Sequence, residues 1–364
     1  MSQTFFDLVQ TSDFRDFVSK RIADKIDASY SFPDVFPMLY KYSSLNSYIV
    51  EDILNEKTTM SFIGEFNDLF DGAIHQYGTK EERQRIAENE WVKHEKTWNT
   101  LNLPRGFLQK EDYVNTQMEI LETNSRLRFR ELEYQGTYVG CFSEDYSSPL
   151  MWAHYADKNR GICIEYNVNH ISNELIRKSF FPIAYSSKPI DVQDLLEDKK
   201  CERYQFSFDA ALLCSALNKA QIWEYEKEWR MLFIYANPLK SEQKKRISPK
   251  WGLKPSKVYV GYHFLRPFFY HDLQNDEEKD TCRKAIINAM SLFSYLKAHN
   301  IPIALMAPNV GDFFYGSFDI PSETIFDFLA KKFKNNQPCS VRYYYTVHDE
   351  LMDLIEKKKE NNNA

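Results

Sequence analysis

Glycine is scarce in this sequence, at 11 of 364 residues, and no glycine-rich phosphate loop is present. Neither G-x-x-x-x-G-K-[ST] nor G-x-G-x-x-G occurs. Both loops need glycine because the backbone must approach the phosphate groups closely. The sequence therefore argues against a P-loop NTPase and against a Rossmann dehydrogenase, while nucleotide binding by other means stays open.

The sequence also lacks paired cysteines and long apolar runs. Its six cysteines form no C-x-x-C pair, and neither zinc-finger nor H-E-x-x-H spacing occurs, so we expect reduced thiols, a cytoplasmic protein and no metal site. No apolar run approaches the roughly 20 residues of a membrane span, and acidic residues interrupt the N-terminus, so we expect neither a membrane span nor a signal peptide. A net charge of −6 provides no general attraction to nucleic acid or membranes.

Aromatic residues are plentiful, at 15% with 27 Phe and 23 Tyr, which provides for a large core and for stacking on planar ligands. Strand-like and helix-like segments mix without a βαβ rhythm, which predicts an α+β fold. We divide the chain into an N-terminal helical segment at 1–37, a catalytic-like α+β domain at 38–308 and a C-terminal appendage at 309–364. A helical insertion is expected within that domain at about 79–133.

The most informative stretch is a predicted strand–helix–strand unit. Its strands are Thr137–Phe142 and Gly161–Tyr166. Ser147 or Ser148 is expected to cap the short helix between them, and Pro149 suits its first position, where a missing N–H costs nothing. The glycine that opens the second strand is expected to adopt the left-handed conformation that ends the helix.

Polar and aromatic side chains gather in this unit. Trp152, His154 and Tyr155 lie on the helix, and Ser143 lies at the end of the first strand. These residues indicate a site, although a connecting helix whose aromatic rings fill the core explains them equally well. No G-x-S-x-G surrounds Ser143, so a hydrolase nucleophile is not supported.

A second polar group is Tyr40-Lys41-Tyr42 on an early predicted strand. A lysine beside aromatic rings at a strand end can bind a phosphate while a ring stacks on a base.

The sharpest chemical signal is the run Glu224, Glu226 and Glu228. In an extended chain these carboxylates share one face and repel each other, so Lys227, Arg230, a ligand or a metal must compensate. In a helix, the two basic residues would relieve the repulsion directly. A charged, exposed segment leading into a core strand is the structural alternative.

The segment Phe66–Gly72 combines Asn67, Asp68 and Asp71 with two phenylalanines. Asn and Asp at this density favour turns with local side-chain hydrogen bonds. We interpret the segment as a structural Asx turn, with a ligand site as the alternative.

Further elements follow from periodicity and composition. Helices are predicted at 46–57, 110–133 and 276–298, and a buried helix over Ser207–Gln221. An aromatic strand is predicted at Val341–Tyr345.

Several of these segments resemble blocks of the bacterial family called domain of unknown function 2971. The resemblance spans about residues 38–306, and its paired Trp-Ala-His-Tyr and Glu-x-Glu-Trp-Arg blocks are specific. The family usually has Pro where this chain has Leu69. The blocks are Leu39–Tyr42, Phe66–Asp71, Cys141–Glu144 with Leu150–Ala156, Trp223–Arg230 and, more weakly, Lys257–Gly261.

The order of these blocks is similar to that of ADP-ribosyltransferases, which place a basic residue on an early strand and Glu-x-Glu on a late one. This similarity implies a mixed or split sheet resembling the ADP-ribosyltransferase fold. It implies that Glu228 stabilises the oxocarbenium-like state of NAD cleavage through the ribose 2′-OH, while Glu226 orients the acceptor. The third implied catalytic residue is Ser143, and the implied NAD-binding residues are Tyr40, Lys41, Trp152, His154 and Tyr155.

The implied function is an NAD-consuming ADP-ribosyltransferase or NAD glycohydrolase, acting as a bacterial effector in phage defence or toxicity. The acceptor, protein or nucleic acid, stays open. A partner protein would bind through the 79–133 helices or the C-terminal appendage, and no membrane is involved. One alternative is a non-catalytic sensor or interaction module. Another is a metal-dependent nuclease or hydrolase built on Asp68, Asp71, Glu226 and Glu228.

Overall fold

A computed structural model describes residues 38–363 of the chain. It leaves out residues 69, 73, 76–78, 102–108, 129–135, 178, 188–189, 192–214, 235–245, 273, 310 and 312–314. The described part has eight α-helices and a ten-stranded mixed sheet, which confirms the α+β class. None of its helices has the length and apolar character needed to span a bilayer. The predicted helical segment at 1–37 lies outside the described residues.

The helices are α1 (Ser47–Leu54), α2 (Lys80–Thr100), α3 (Lys110–Arg128), α4 (Pro149–Tyr155), α5 (Glu174–Arg177), α6 (Asp276–Ala298), α7 (Ser322–Lys332) and α8 (Tyr344–Asn363). The central sheet contains β1 (Met38–Ser43), β2 (Met60–Phe62), β4 (Thr137–Ser143), β5 (Ile162–Asn167), β6 (Phe180–Pro182), β10 (Glu228–Ile234), β11 (Arg246–Ile247), β12 (Pro255–Val260), β14 (Ile303–Pro308) and β15 (Tyr315–Ile320). The smaller strands are β3 (Ile74–His75), β7 (Ala184–Ser186), β8 (Ile190–Asp191), β9 (Asn218–Ala220), β13 (Phe269–Tyr270) and β16 (Cys339–Ser340).

The main path of the sheet runs β11-β2-β4-β1-β5-β12-β14-β15, and β10 pairs with both β4 and β6. Among the described strands of this sheet, only β12 and β14 pair in parallel. The two edges of β4 are paired to different extents. β10 follows β4 along its whole length, whereas on the other edge β2 pairs at Tyr138 and Val139 and β1 pairs at Ser143. Residues 140–142 have no strand partner on that edge in the described part of the chain, so the sheet opens between β1 and β4.

Strand alternation gives the sheet two apolar faces. Ile162 and Ile164 of β5 join the main core with residues of α1 and α6, while Cys163 between them packs in a smaller cluster around Trp152 of α4. This alternation is what a sheet covered on both faces requires. It places α4 on the face opposite α1 and α6.

Side-chain caps fix several helix starts. The Asn46 side chain accepts from the Ile49 amide, and Thr79 and Asn275 cap α2 and α6 in the same way. For α4 the choice left open resolves to Ser148, with Pro149 in the first turn. The prediction for 276–298 matches α6 at both ends.

Gly161 corrects one prediction. The left-handed residues after α4 are Asp157, Lys158 and Asn159, with φ of 48°, 55° and 64°, rather than Gly161. Gly161 is instead required by close packing, because a Cβ there would lie 2.2 Å from the Ser43 carbonyl oxygen. The glycine therefore lets β5 approach β1 at the edge of the opening.

Two further predictions are wrong where the structure describes them. In the segment 207–221, residues 207–214 lie outside the described part, but Asn218–Ala220 form β9 and Gln221 begins a 3₁₀ helix. The predicted aromatic strand at Val341–Tyr345 is a 3₁₀ turn that leads into α8. There the helical spacing of the buried residues outweighs the strand preference of the tyrosines. These buried residues are Tyr344, Val347, Leu351 and Ile355.

The segment after residue 309, predicted as an appendage, contributes to the sheet and to the main core. β15 pairs with β14 along its length, and buried residues of α7 and α8 belong to the main core cluster. In the predicted insertion, α2 and α3 pack on each other, with the Trp91 ring centroid 5.5 Å from that of Tyr113.

Two histidines join α8 to the turn that follows β12. His348 is 6% exposed, and its Nε2 has no hydrogen-bond partner within the described residues. The His263 Nδ1 lies 2.9 Å from the Tyr344 hydroxyl. Burial lowers the pKa of His263, and the nearby His348 and Arg266 lower it further.

Replacing Gly161 by Ala is expected to destabilise the protein by about 1–3 kcal/mol or more, because the new methyl group meets a backbone oxygen that cannot move freely. Urea unfolding measures the difference. Gly316→Ala is the matched control, since a Cβ at Gly316 meets its nearest atom at an ordinary 3.5 Å. Equal stability of the two variants would contradict the packing argument.

Acid is expected to weaken the protein through His263. A base whose pKa is lowered on folding contributes its full stability above its unfolded pKa of about 6.5, and the contribution is lost as the pH falls below that value. His263→Gln should therefore show a smaller loss of unfolding free energy between pH 7.5 and 5.5 than the unmodified chain. His154→Gln, at an exposed position, is the control, and an unchanged slope in His263→Gln would refute this expectation.

Candidate functional site

The opening between β1 and β4 forms a pocket of about 450 Å³. This volume lies within the range of small-molecule sites. Aromatic rings line much of it, and a cluster of charged side chains lines one side. The lining includes Tyr40, Lys41, Tyr42, Tyr48, Phe66, Phe142, Tyr155, Lys219, Glu226, Glu228 and Arg246.

Arg230 anchors the charged cluster and is fully buried. Its two terminal nitrogens donate to Asp71 at 2.6 Å each, and it also donates to the Glu228 carboxylate at 2.8 and 3.1 Å. A fifth hydrogen bond reaches the Ala216 carbonyl at 2.7 Å. A guanidinium has five N–H donors, so all of them are used. Asp71 and Glu228 together raise the pKa of Arg230 despite its burial.

Strand alternation in β10 explains which side chains face this cluster. Glu228 and Arg230 are two residues apart and share one face, while Trp229 points into the main core. The Trp229 indole N–H donates to Glu144 at 2.7 Å. The Glu228 amide donates to the Tyr185 hydroxyl at 2.7 Å, which fixes the start of the strand.

A left-handed residue brings Glu226 beside Glu228. The 3₁₀ helix Gln221–Glu226 ends at Lys227, whose φ and ψ are 45° and 51°. The two glutamates are therefore not neighbours on a regular strand or helix. Lys227 points away from them and pairs with Asp145 at 3.2 Å.

Lys219 bridges the two glutamates from β9. Its ammonium nitrogen donates to Glu226 at 2.5 Å and to Glu228 at 3.0 Å. Of the compensating groups expected from the sequence, Arg230 is used and Lys227 is not, and Lys219 supplies the second cation.

Tyr155 connects the cluster to α4. Its hydroxyl donates to the second oxygen of the Glu226 carboxylate at 2.6 Å. Burial raises the pKa of Tyr155 well above its ordinary value, and Glu226 raises it further, so the phenol keeps its proton.

The site shifts the pKa values of the two glutamates in opposite directions. Burial opposes ionisation of Glu228, but Arg230 and Lys219 hold its pKa at about 2. Burial raises the pKa of Glu226, and Lys219 offsets only part of that effect. Neighbouring carboxylates with divergent pKa values suit separate roles, one permanently charged and one able to exchange a proton.

The Phe66–Gly72 segment serves as both a turn and an anchor. The Asp68 side chain accepts from the Phe70 amide at 2.9 Å, which is an Asx turn as interpreted from the sequence. The Asp71 side chain extends from the turn and accepts a hydrogen bond from Arg230. The centre of the Phe66 ring lies 5.5 Å from the guanidinium carbon.

Lys41 of β1 also lines the pocket. Its ammonium donates to the Thr59 carbonyl at 3.1 Å and lies 5.0 Å from the centre of the Phe142 ring. No carboxylate of the described residues lies within ion-pair distance of it. Burial lowers the pKa of Lys41, since its charge is poorly compensated.

The structure brings five of the eight sequence-predicted site residues to the pocket and leaves three outside its lining. Ser143 is fully buried and donates to the Glu226 carbonyl at 2.7 Å, so it supports the backbone beside the site. Trp152 is fully buried and donates to the Tyr146 carbonyl. His154 is exposed, with its ring 6.5 Å from that of Tyr225. The five that line the pocket are Tyr40, Lys41, Tyr155, Glu226 and Glu228.

Sequence reasoning missed Lys219 and the pairing of Asp71 with Arg230. The signal for Lys219 is that it is the only basic residue in the largely apolar segment 207–221. The pairing of Asp71 joins positions 159 residues apart, and nothing local indicates it.

The comparisons agree with the family resemblance over part of the chain. The model of the family described as "Protein of unknown function (DUF2971)" matches residues 151–231. This match confirms the predicted resemblance to the domain of unknown function 2971 family, over a shorter range than the 38–306 expected. It includes Tyr155, Glu226, Glu228 and Arg230. No curated protein and no solved structure matches the chain.

Replacing Arg230 by Met should destabilise the protein by about 3–5 kcal/mol, because the buried Asp71 and Glu228 carboxylates would lose their partner. Chemical unfolding of the purified variant measures this effect. Arg160→Met, which removes a half-exposed arginine paired with Asp157, is the control and should change stability by about 1 kcal/mol or less. Similar losses in the two variants would show that Arg230 is not an anchor.

Proposed function

We propose that the pocket binds NAD and that the protein cleaves its nicotinamide–ribose bond, as an ADP-ribosyltransferase or an NAD glycohydrolase. The observation that carries this proposal is the pair Glu226 and Glu228 at the side of an aromatic pocket. The motif order similar to ADP-ribosyltransferases and the sheet opening beside β4 support it. By the same resemblance, we propose a cytoplasmic bacterial effector in phage defence or toxicity.

The charged side of the pocket suits a reaction that develops positive charge on a ribose. Among the described residues, Asp71, Glu226 and Glu228 form ion pairs with Lys219 and Arg230, so three carboxylates and two cations leave one net negative charge in the cluster. Cleavage of a glycosidic bond to nicotinamide passes through an oxocarbenium-like state. A fixed negative charge in a poorly solvated site stabilises such a state.

The hydrogen bonds that each glutamate accepts indicate different roles for Glu226 and Glu228. A carboxylate has about four acceptor sites. Glu228 accepts three hydrogen bonds from Arg230 and Lys219, while Glu226 accepts two, from Tyr155 and Lys219. We therefore assign the ribose hydroxyl or the acceptor nucleophile to Glu226, and the permanent charge to Glu228.

The remaining walls suit the other parts of NAD. Tyr40, Tyr48 and Phe66 offer rings for stacking on nicotinamide. Lys41 and the exposed Arg246 supply positive charge for the pyrophosphate. The buried Trp152 and the exposed His154, implied as NAD-binding residues, are replaced in this proposal by these lining residues.

No specific observation favours the metal-dependent alternative. Asp71, Glu226 and Glu228 already bind Lys219 and Arg230, and Asp68 completes an Asx turn. Within the described residues, no group of three or more His, Cys, Asp or Glu side chains has an arrangement that could hold a metal ion. The metal-dependent reaction and the non-catalytic module are outcomes of the following test.

Glu226→Gln is expected to lower nicotinamide release from NAD at least about 100-fold, because the amide cannot carry the charge or take a proton. Free nicotinamide is followed by chromatography, with water and with candidate protein and nucleic-acid acceptors. Glu224→Gln, an exposed residue on the same 3₁₀ helix, is the control and should retain full activity.

The same assay separates the alternatives. Absence of NAD cleavage by the unmodified chain with every acceptor would reject the proposal. A nuclease activity abolished by EDTA would favour the metal-dependent reading. NAD binding without turnover would favour a sensor.

A further inference from the structure

Lys219 lies at the centre of the charged cluster, and the family resemblance assigns it no role. Its ammonium nitrogen is 2.5 Å from Glu226 and 3.0 Å from Glu228. A third carboxylate, that of Asp71, lies at 3.8 Å. Lys219 is 6% exposed. One buried ammonium group is therefore within ion-pair distance of all three acids of the cluster.

The protein holds Lys219 in place from several directions. Its strand β9 pairs in parallel with β7, which sets Lys219 opposite Tyr185, whose hydroxyl binds the Glu228 amide. The ring of Trp223 lies 5.1 Å from the ammonium nitrogen. The lysine and one of the glutamates that it bridges are thus fixed by the same neighbouring strand.

Without a cation between them, the two glutamates could not share one wall of the pocket in ionised form. Like charges this close disfavour each other's ionisation, so one carboxyl group would take up a proton. Arg230 cannot replace Lys219, because its five donors are occupied by Asp71, Glu228 and a carbonyl. Tyr155 donates one neutral hydrogen bond to Glu226 and brings no charge.

We infer that Lys219 is a positioning residue, whose ammonium group bridges Glu226 and Glu228 and keeps both carboxylates charged and aimed at the pocket. This inference rests on the proposed function for its catalytic meaning, but its physical content does not need NAD. Lys219 acts through the glutamates, so its removal should change the protonation of Glu226.

The test is a titration of the glutamate side chains by carbon-13 NMR, with the Glu226 signal identified through Glu226→Gln. Lys219→Met is expected to move the midpoint of the Glu226 titration upward by about 1–3 pH units, since an opposite charge at this distance has that effect. Lys219→Arg should restore most of the original midpoint. Lys227→Met, which removes an exposed lysine beside the same glutamates, is the matched control and should leave the midpoint in place.

A second experiment measures the effect of Lys219 on NAD cleavage. If the unmodified chain releases nicotinamide, Lys219→Met should lose at least about tenfold in kcat at pH 7 and recover as the pH is raised, because Glu226 then ionises. A purely structural lysine would give a loss that does not recover at high pH. Where Lys219→Met does not fold, Lys219→Gln, which keeps a hydrogen-bonding amide without charge, serves in its place.

The titration and the activity measurement test different claims and can fail independently. An unchanged Glu226 midpoint in Lys219→Met, or an equal shift in Lys227→Met, overturns the inference whatever the activity is. Absence of NAD cleavage by the unmodified chain rejects the proposed function, while the titration still decides whether Lys219 controls the glutamate pair.

Discussion

The buried guanidinium of Arg230 is the constraint on which the site depends. It binds Asp71 through both terminal nitrogens and Glu228 through Nε and one terminal nitrogen. Its fifth N–H donates to the Ala216 carbonyl, so every donor is used. Removing this many charged groups from water is costly, and it is compensated only when every donor and acceptor finds a partner. The Phe66–Gly72 turn, strand β10 and the segment around Ala216 must therefore meet in one arrangement.

That arrangement explains why distant parts of the sequence share one site. The segment Phe66–Asp71 contributes an anchoring carboxylate, the Trp-Ala-His-Tyr block contributes Tyr155, and the Glu-x-Glu-Trp-Arg block contributes two glutamates and the arginine. Lys219 lies outside these blocks and completes the set of contacts by binding both glutamates. The pocket lies where β4 loses its partner on one edge, so an interruption in strand pairing creates the space and the charged cluster lines one side of it.

Sequence reasoning reached most of the local structure and part of the site. The helix cap at Ser148 depends on neighbouring residues, and it was predictable for that reason. The need for a compensating charge beside the two glutamates was also predictable, because their spacing in the sequence implies mutual repulsion. The identity of the compensating groups depends on tertiary contacts, so Lys219 and the pairing of Asp71 with Arg230 escaped prediction. Trp152 and Ser143 show the opposite error, because residue types suited to a ligand site here complete the core and support the backbone.

The central claim is that Asp71, Arg230 and their neighbours act as one cooperative unit that forms the site. A double-mutant cycle with Asp71→Asn and Arg230→Met measures this most directly through unfolding free energies. The account predicts that the double variant is less destabilised than the sum of the single variants by at least about 1.5 kcal/mol, the lower end of the coupling energies of close charge pairs at a protein interface. Additivity within about 0.5 kcal/mol would contradict it, because that is the behaviour of independent sites.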